Sequence, residues 1–328
     1  TVSKSINQVI NQMAKQTPLT CSGHTRPVVD LSFSNKTEDG YFLISACKDG
    51  KPMLRQGETG DWIGTFLGHK GAVWAATLNH NALRAATGAA DFSANLWDAV
   101  KGDVITSYPH KHIVKAVAFS PDCTRLLTGG QEKIIRSFLI EKPDADPDII
   151  GSHEGAIKKV IWGDDGRTMI TAADDKSIRK WDPNSKNEVQ RFDLESAIMD
   201  IELSKEGDIM LVTRSKSIAI YDTKLFTKLR EFTMPTNAYS ASLHPDKKFI
   251  VAGGEDFKLY KFDFQTLEEL DSYKSHFGPV HIVRFSPDGE LFASGSEDGT
   301  VRLWQTNVGT NYGLWRCGSG EDDTPIAT

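Results

Sequence analysis

"SGSEDGTVRLW", Ser294 to Trp304, decides the fold because the chain repeats it. The stretch sets a hydroxyl at Ser294, an acid four residues on at Asp298, and an aromatic six residues beyond at Trp304. "TGAADFSANLW" runs through the same sequence of types with Thr87, Asp91 and Trp97, and "TAADDKSIRKW" with Thr171, Asp175 and Trp181. "SACKDGKPMLR" keeps Ser45 and Asp49 but closes on Arg55. "TGGQEKIIRSF" supplies Thr128, Glu132 and Phe138, and "AGGEDFKLYKF" supplies Ala252, Asp256 and Phe262. The weakest copy, "LVTRSKSIAIYD", keeps Tyr221 but has no acid in its turn. From Arg55 to Trp304 the closing positions step by 42, 41, 43, 40, 41 and 42 residues. An upstream histidine keeps time with them at His24, His69, His110, His153 and His276, and is missing from copies five and six.

A period near forty is the mark of a stacked supersecondary unit. Each unit reads as four short strands; in the second copy these are "AVWAATL", "LRAATG", "SANLWD" and "DVITSY", separated by Asn, Asp or Gly. The reversing turns "SPDC", "HPDK" and "SPDG" suit antiparallel neighbours, and no segment carries a sustained helical period. One such sheet leaves apolar faces exposed, and seven stacked around an axis bury them. The expected fold is therefore all-β, a seven-bladed propeller with four antiparallel strands per blade. Because an open ring leaves strand edges bare, "TPLTC" (residues 17–21) is expected to pair with the last sheet and close it. The later "TNYGLW" is a competing or extending segment. The expected organisation is an N-terminal extension over 1–16, the propeller over 17–316 and a flexible tail over 317–328. Met13 is read as the natural start, with 1–12 a leader or a cloning remnant.

Bulk composition narrows the function. With 39% hydrophobic and 25% charged residues the chain can build an ordinary core, and its net charge of −6 does not mark the whole as a nucleic-acid or membrane-surface binder. Cys21, Cys47, Cys123 and Cys317 lie far apart, which disfavours a zinc site or disulfide framework and suits a reducing compartment. No apolar run approaches bilayer length, and "TVSKSINQVINQ" is too polar for a secretory signal.

Serine, histidine and aspartate together suggest a hydrolase, and the period argues against it. A catalytic pocket supplies one geometry, whereas the full set recurs in copies two, four and seven. The expectation is a structural network: Asp accepts from His and turn amides, His engages the Ser or Thr hydroxyl, and that hydroxyl meets the indole N–H. No catalytic residue, cofactor or metal is assigned. "HKH" at 110–112 lacks carboxylates, and no phosphate-binding "GxxxxGK[ST]" loop is present.

These residues resemble the WD-repeat family, with "WD" literal at Trp97-Asp98 and Trp181-Asp182, over roughly residues 17 to 305. "GYFLISACKDGKPMLRQGETGDWIGTFLGHKGAVW" (40–74), "HKHIVKAV" (110–117), "AGGEDFKLYKFD" (252–263) and "HFGPVHIVRFSPDGELFASGSEDGTVRLWQT" (276–306) look like one branch of that family. The unusual "KPMLRQG" is its most discriminating segment. The resemblance implies a non-enzymatic adaptor in the cytoplasm and nucleus. Its implied partners are components of the survival motor neuron complex, which supports assembly of spliceosomal ribonucleoproteins, together with TGF-β receptor and Smad proteins. RNA is expected only indirectly, with no membrane and no small-molecule substrate. The alternative is a translation-initiation scaffold similar to a WD-repeat subunit of eukaryotic initiation factor three, against which "KPMLRQG" argues. By analogy with the family, exposed partner-binding positions fall five residues after the histidine, at Val29, Trp74, Lys115, Lys158 and His281, with Met199 and Ser240 extrapolated from the spacing for copies five and six. A second set precedes the turn acid at Lys48, Ala90, Gln131, Asp174, Glu255 and Glu297. The face is expected to be basic toward copies three and four and acidic toward six and seven. Trp74 is the candidate anchor, because large aromatics in central pockets often dominate binding.

Overall fold

The computed structural model describes residues 16–163 and 166–307. Among them there is no helix, and hence none long and apolar enough to cross a membrane; the chain forms seven four-stranded antiparallel sheets arranged as a ring of blades. Blade 1 is built from Val28–Phe33, Phe42–Cys47, Met53–Gln56 and Trp62–Thr65, from the axis outward. The innermost strands of blades 2 to 6 are Val73–Leu78, Val114–Phe119, Ile157–Trp162, Ile198–Leu203 and Ala238–Leu243. Blade 7 runs Val280–Phe285, Leu291–Ser296, Val301–Gln305, and takes its outermost strand, Leu19–Cys21, from the beginning of the chain. There Leu19 faces Leu303, Thr20 faces Arg302 and Cys21 faces Val301. The expected ring closure is therefore present. Of the N-terminal extension only Gln16 is described, and its Nε2 donates to Gln305 O at 3.2 Å; residues 1–15, the tail and "TNYGLW" lie outside the described residues.

The core sits between blades, not inside them. Apolar clusters fill each gap between neighbouring sheets; the one between blades 1 and 2 joins Ile44, Leu54 and Phe66 to Val73, Leu78 and the fully buried Trp97. Burying both faces of every sheet this way replaces the exposure that a lone sheet would suffer.

One irregularity recurs in every blade. Pairing of the innermost strand with its neighbour slips at the strand's second residue: between Val28 and Asp30, Val73 and Ala75, Val114 and Ala116, and equivalently in the other four blades. A bulge of this kind leaves one residue unpaired and re-aims its side chain. The seven unpaired residues are Val29, Trp74, Lys115, Lys158, Met199, Tyr239 and His281, and six of them are positions that the sequence proposed for partners.

Candidate functional site at the channel mouth

In blades 2, 4 and 7 the hydroxyl, histidine, acid and indole form one chain. Trp97 Nε1 donates to Thr87 Oγ1 at 2.8 Å, Thr87 Oγ1 lies 2.7 Å from His69 Nε2, and His69 Nδ1 lies 2.8 Å from Asp91 Oδ2. Blade 4 repeats this with Trp181, Thr171, His153 and Asp175, and blade 7 with Trp304, Ser294, His276 and Asp298. Each acid also accepts an amide of the loop between blades, from Lys70, Glu154 and Phe277. Burial pushes the pKa of each of these histidines down, so the ring is neutral, donating from Nδ1 and accepting at Nε2. Burial pulls Asp91 upward, but bonds from Ser93, the Lys70 amide and His69 outweigh it and hold the carboxyl below its usual range. A hydroxyl already shared by an indole and an imidazole, and fully buried, is a structural tie and not a nucleophile at a substrate pocket.

Other blades depart from the pattern. In blade 1, His24 spans Ser45 and Asp49 at 2.8 and 3.0 Å, while Arg55 takes the place of the indole and donates to backbone carbonyls of Ser22 and Gly60. His24, Cys47 and Asp49 place one potential metal-ligand atom each within 4.8 Å of one another. The ring nitrogens of His24 are occupied, however, and burial pushes the Cys47 thiol up to about 12, which suits a neutral hydrogen-bond set. In blade 3 the network is rearranged: His110 Nε2 meets Thr128 at 2.9 Å, but its Nδ1 donates to Tyr108 O, and Glu132 serves the Lys111 and His112 amides and Arg136 instead. Asp256 of blade 6 accepts from the Tyr260 hydroxyl and not from a histidine.

The re-aimed residues surround the channel mouth. Val29, Lys48, Trp74, Lys115, Lys158, Lys159, Met199, Tyr239 and His281 line one cavity of about 340 Å³. Ser240 is a correction: it is fully buried, turned to the opposite side of its strand and bonded to Asp200, and Tyr239 holds the mouth position. Trp74 is half-buried, with Lys48 and Lys115 ammonium groups 5.4 and 5.7 Å from its ring centroid. Its indole N–H is buried without an acceptor among the described residues, so the ring face is what it presents. Lys158 is neutralised by Asp174 at 3.0 Å and donates to Ile198 O. Opposite, His281 stacks on Tyr239 and bonds Glu297 at 2.5 Å, while Glu255 accepts from Asn237. The uncommitted positive charge thus belongs to blades 1 and 3, and the charge of blade 4 is paired. Ala90 and Gln131 add no charge to this ring.

Beneath the mouth lies a network that the sequence did not disclose. Lys159 Nζ bonds Asp30 at 2.8 Å and lies 3.6 Å from Asp200. Arg284 grips both oxygens of Asp200 at 2.8 and 3.0 Å and lies 3.8 Å from Glu202. Burial raises the pKa of Asp200, but Arg284 and Lys159 outweigh it and hold the carboxyl low; burial pushes Glu202 up to about 7 despite Arg284. These charges occupy the third and fifth positions of the innermost strands, and so they join blades 1, 4, 5 and 7 across the axis. The only trace in the sequence is a charged residue inside each of those apolar runs.

The geometry agrees with comparisons to known proteins. The family model "WD domain, G-beta repeat" matches residues 60–98, 102–138, 148–182 and 267–305. Each matched stretch corresponds to one sequence repeat, which supplies the outer strand of one blade and the inner strands of the next. The chain is 59% identical over 313 residues to the serine-threonine kinase receptor-associated protein of Gallus gallus, covering 95% of this chain and 89% of that one. Against the Homo sapiens protein of the same name it is 58% identical over 310 residues, 94% and 88% of the two chains. Eukaryotic translation initiation factor 3 subunit I of Drosophila melanogaster is more distant, at 31% over 315 residues, 87% and 95%. A ring of repeats on this period, with this identity over nearly the whole length, makes the chain a member of the WD-repeat family, in the branch of the serine-threonine kinase receptor-associated proteins.

Proposed function

We propose that the protein is a non-enzymatic adaptor that holds protein partners at the channel mouth. One observation carries this reading: seven bulged residues from seven blades converge on a single half-apolar, charge-polarised cavity, while the Ser/Thr, His and Asp groups are consumed in buried ties. Its partners are components of the survival motor neuron complex, in support of spliceosomal ribonucleoprotein assembly, and TGF-β receptor and Smad proteins. The relatives' name, which speaks of a kinase receptor, supports the second group. RNA is reached through those partners, and the protein works in cytoplasm and nucleus.

Affinity purification of the wild type and of Trp74→Ala, with both proteins checked for folding, tests this. Enrichment of survival motor neuron or receptor components that is lost in Trp74→Ala is the expected result. A Trp74→Ala protein that keeps every partner refutes docking at the mouth. A second reading, a translation-initiation scaffold, has the 31% relative in its favour and is distinguished by enrichment of initiation-factor subunits in their place.

A further inference from the structure

Building on the adaptor reading above, the geometry points to the chemistry of what docks: we infer that the mouth takes a short acidic segment, a carboxylate between Lys48 and Lys115 over Trp74 and an adjoining apolar side chain against Val29, Met199 and Tyr239.

The lysines carry the inference. Lys48 from blade 1 and Lys115 from blade 3 converge on one indole of blade 2, each within 6 Å of its centroid. Neither has a carboxylate partner among the described residues, although the chain carries 44 acids against 38 lysines and arginines. The neighbouring lysines are both satisfied, Lys158 by Asp174 and Lys159 by Asp30. The ring quadrupole attracts each ammonium but cannot neutralise two like charges brought together. A ligand carboxylate supplies the missing counter-charge in a cavity whose apolar walls strengthen the interaction.

Other anions fit less well. Among the described residues no arginine lines the cavity, so the planar fork that recognises phosphate in two bonds is missing. A nucleic-acid strand, with a charge on every residue, would run onto Glu255 and Glu297 of blades 6 and 7, at the other side of the same mouth. A few carboxylates at one end of a segment match this polarity. The cavity volume of about 340 Å³ is at the small end for a ligand site, and it admits side chains and not a folded surface.

The test is fluorescence anisotropy with labelled short peptides: one rich in Asp and Glu around a single Leu, its Asn/Gln counterpart, and a phosphoserine version. A single-stranded oligouridylate is the fourth probe. Each is titrated against the wild type and against Lys48→Glu/Lys115→Glu, whose melting temperature is measured first. The acidic peptide is expected to bind best, to weaken with added salt, and to lose about tenfold or more in affinity on the double variant. Equal binding of the neutral peptide, tighter binding of the phosphorylated peptide or the oligouridylate, or unchanged affinity in the double variant overturns the inference. Should the double variant not fold, Lys115→Gln alone, with an expected loss of several-fold, replaces it. If no acidic peptide binds while Trp74→Ala still loses its captured partners, the acidic class is wrong and the adaptor reading stands. Retention of all partners by Trp74→Ala strikes the adaptor reading itself.

Discussion

Replacing Thr87 with valine exchanges a hydroxyl for a methyl of nearly the same shape, so it opens no cavity and isolates the polar contribution. Thr87 is fully buried, and its Oγ1 serves Trp97 Nε1 and His69 Nε2 at 2.8 and 2.7 Å. Both groups are left buried and unpaired in Thr87→Val. At about 1–3 kcal/mol for each, the loss is about 2–6 kcal/mol. Blade 3 provides a matched control, because Phe138 stands where the indole would be and Thr128 serves only His110 Nε2. Thr128→Val therefore leaves one orphan and costs about 1–3 kcal/mol. Urea unfolding followed by circular dichroism reads the difference as a shift in midpoint at constant slope. The expected order is wild type, Thr128→Val, Thr87→Val, with the second step at least as large as the first. Equal midpoints for the two variants, or a greater loss in Thr128→Val, would refute the idea that the hydroxyl acts as a shared tie.

Arg284→Met leaves Asp200 buried with its main counter-charge gone, and is expected to cost about 3–5 kcal/mol; adding Asp200→Leu should recover most of it, so that the double variant melts above the single one. Asp91→Ala should lose about 1–3 kcal/mol in urea unfolding yet capture the same partners in affinity purification, since Asp91 ties loops and does not face the mouth. Acid should destabilise the protein through its histidines. Burial lowers His24, His69, His110, His153 and His276, so just below the ordinary value of 6.5 the unfolded chain binds more protons and stability falls with pH. Glu202, raised by burial, acts in the opposite sense but is one group against five. Calorimetry should show a lower melting temperature at pH 5 than at pH 7.5, and a constant or rising one contradicts the neutral-histidine assignment.

The blades were legible because their signal is additive. Even blade 5, with no acid in its turn, forms from Ile198, Ile201, Met210, Val212 and Tyr221, which pack against blade 4 without the polar tie. The histidine is also dispensable to the backbone. Leu194 and Met234 take its place in copies five and six, and their amides donate to Lys176 O and Lys216 O as the His153 amide donates to Lys133 O. The mouth was legible only to within a residue. With steps that vary from 40 to 43, extrapolation lands on Ser240, and one residue along a strand reverses the direction of the side chain. The axial charges escaped for a different reason. Asp30 and Lys159 are separated by 129 residues and Asp200 and Arg284 by 84, so only closure of the ring makes them neighbours. Glu132 and Asp256 fit the motif by type, but Arg136 and Tyr260 compete for them locally.

The pairing of Leu19–Cys21 with Val301–Gln305 has a temporal side. A ribosome releases the first of these strands long before the second exists, so Leu19–Cys21 must wait, unpartnered, while six complete blades assemble behind it. The ring gains its final edge contacts in a single late event that joins its first strand to its last. Lesions in either strand, hundreds of residues apart in sequence, should therefore produce the same defect: an unlatched, edge-exposed intermediate open to aggregation.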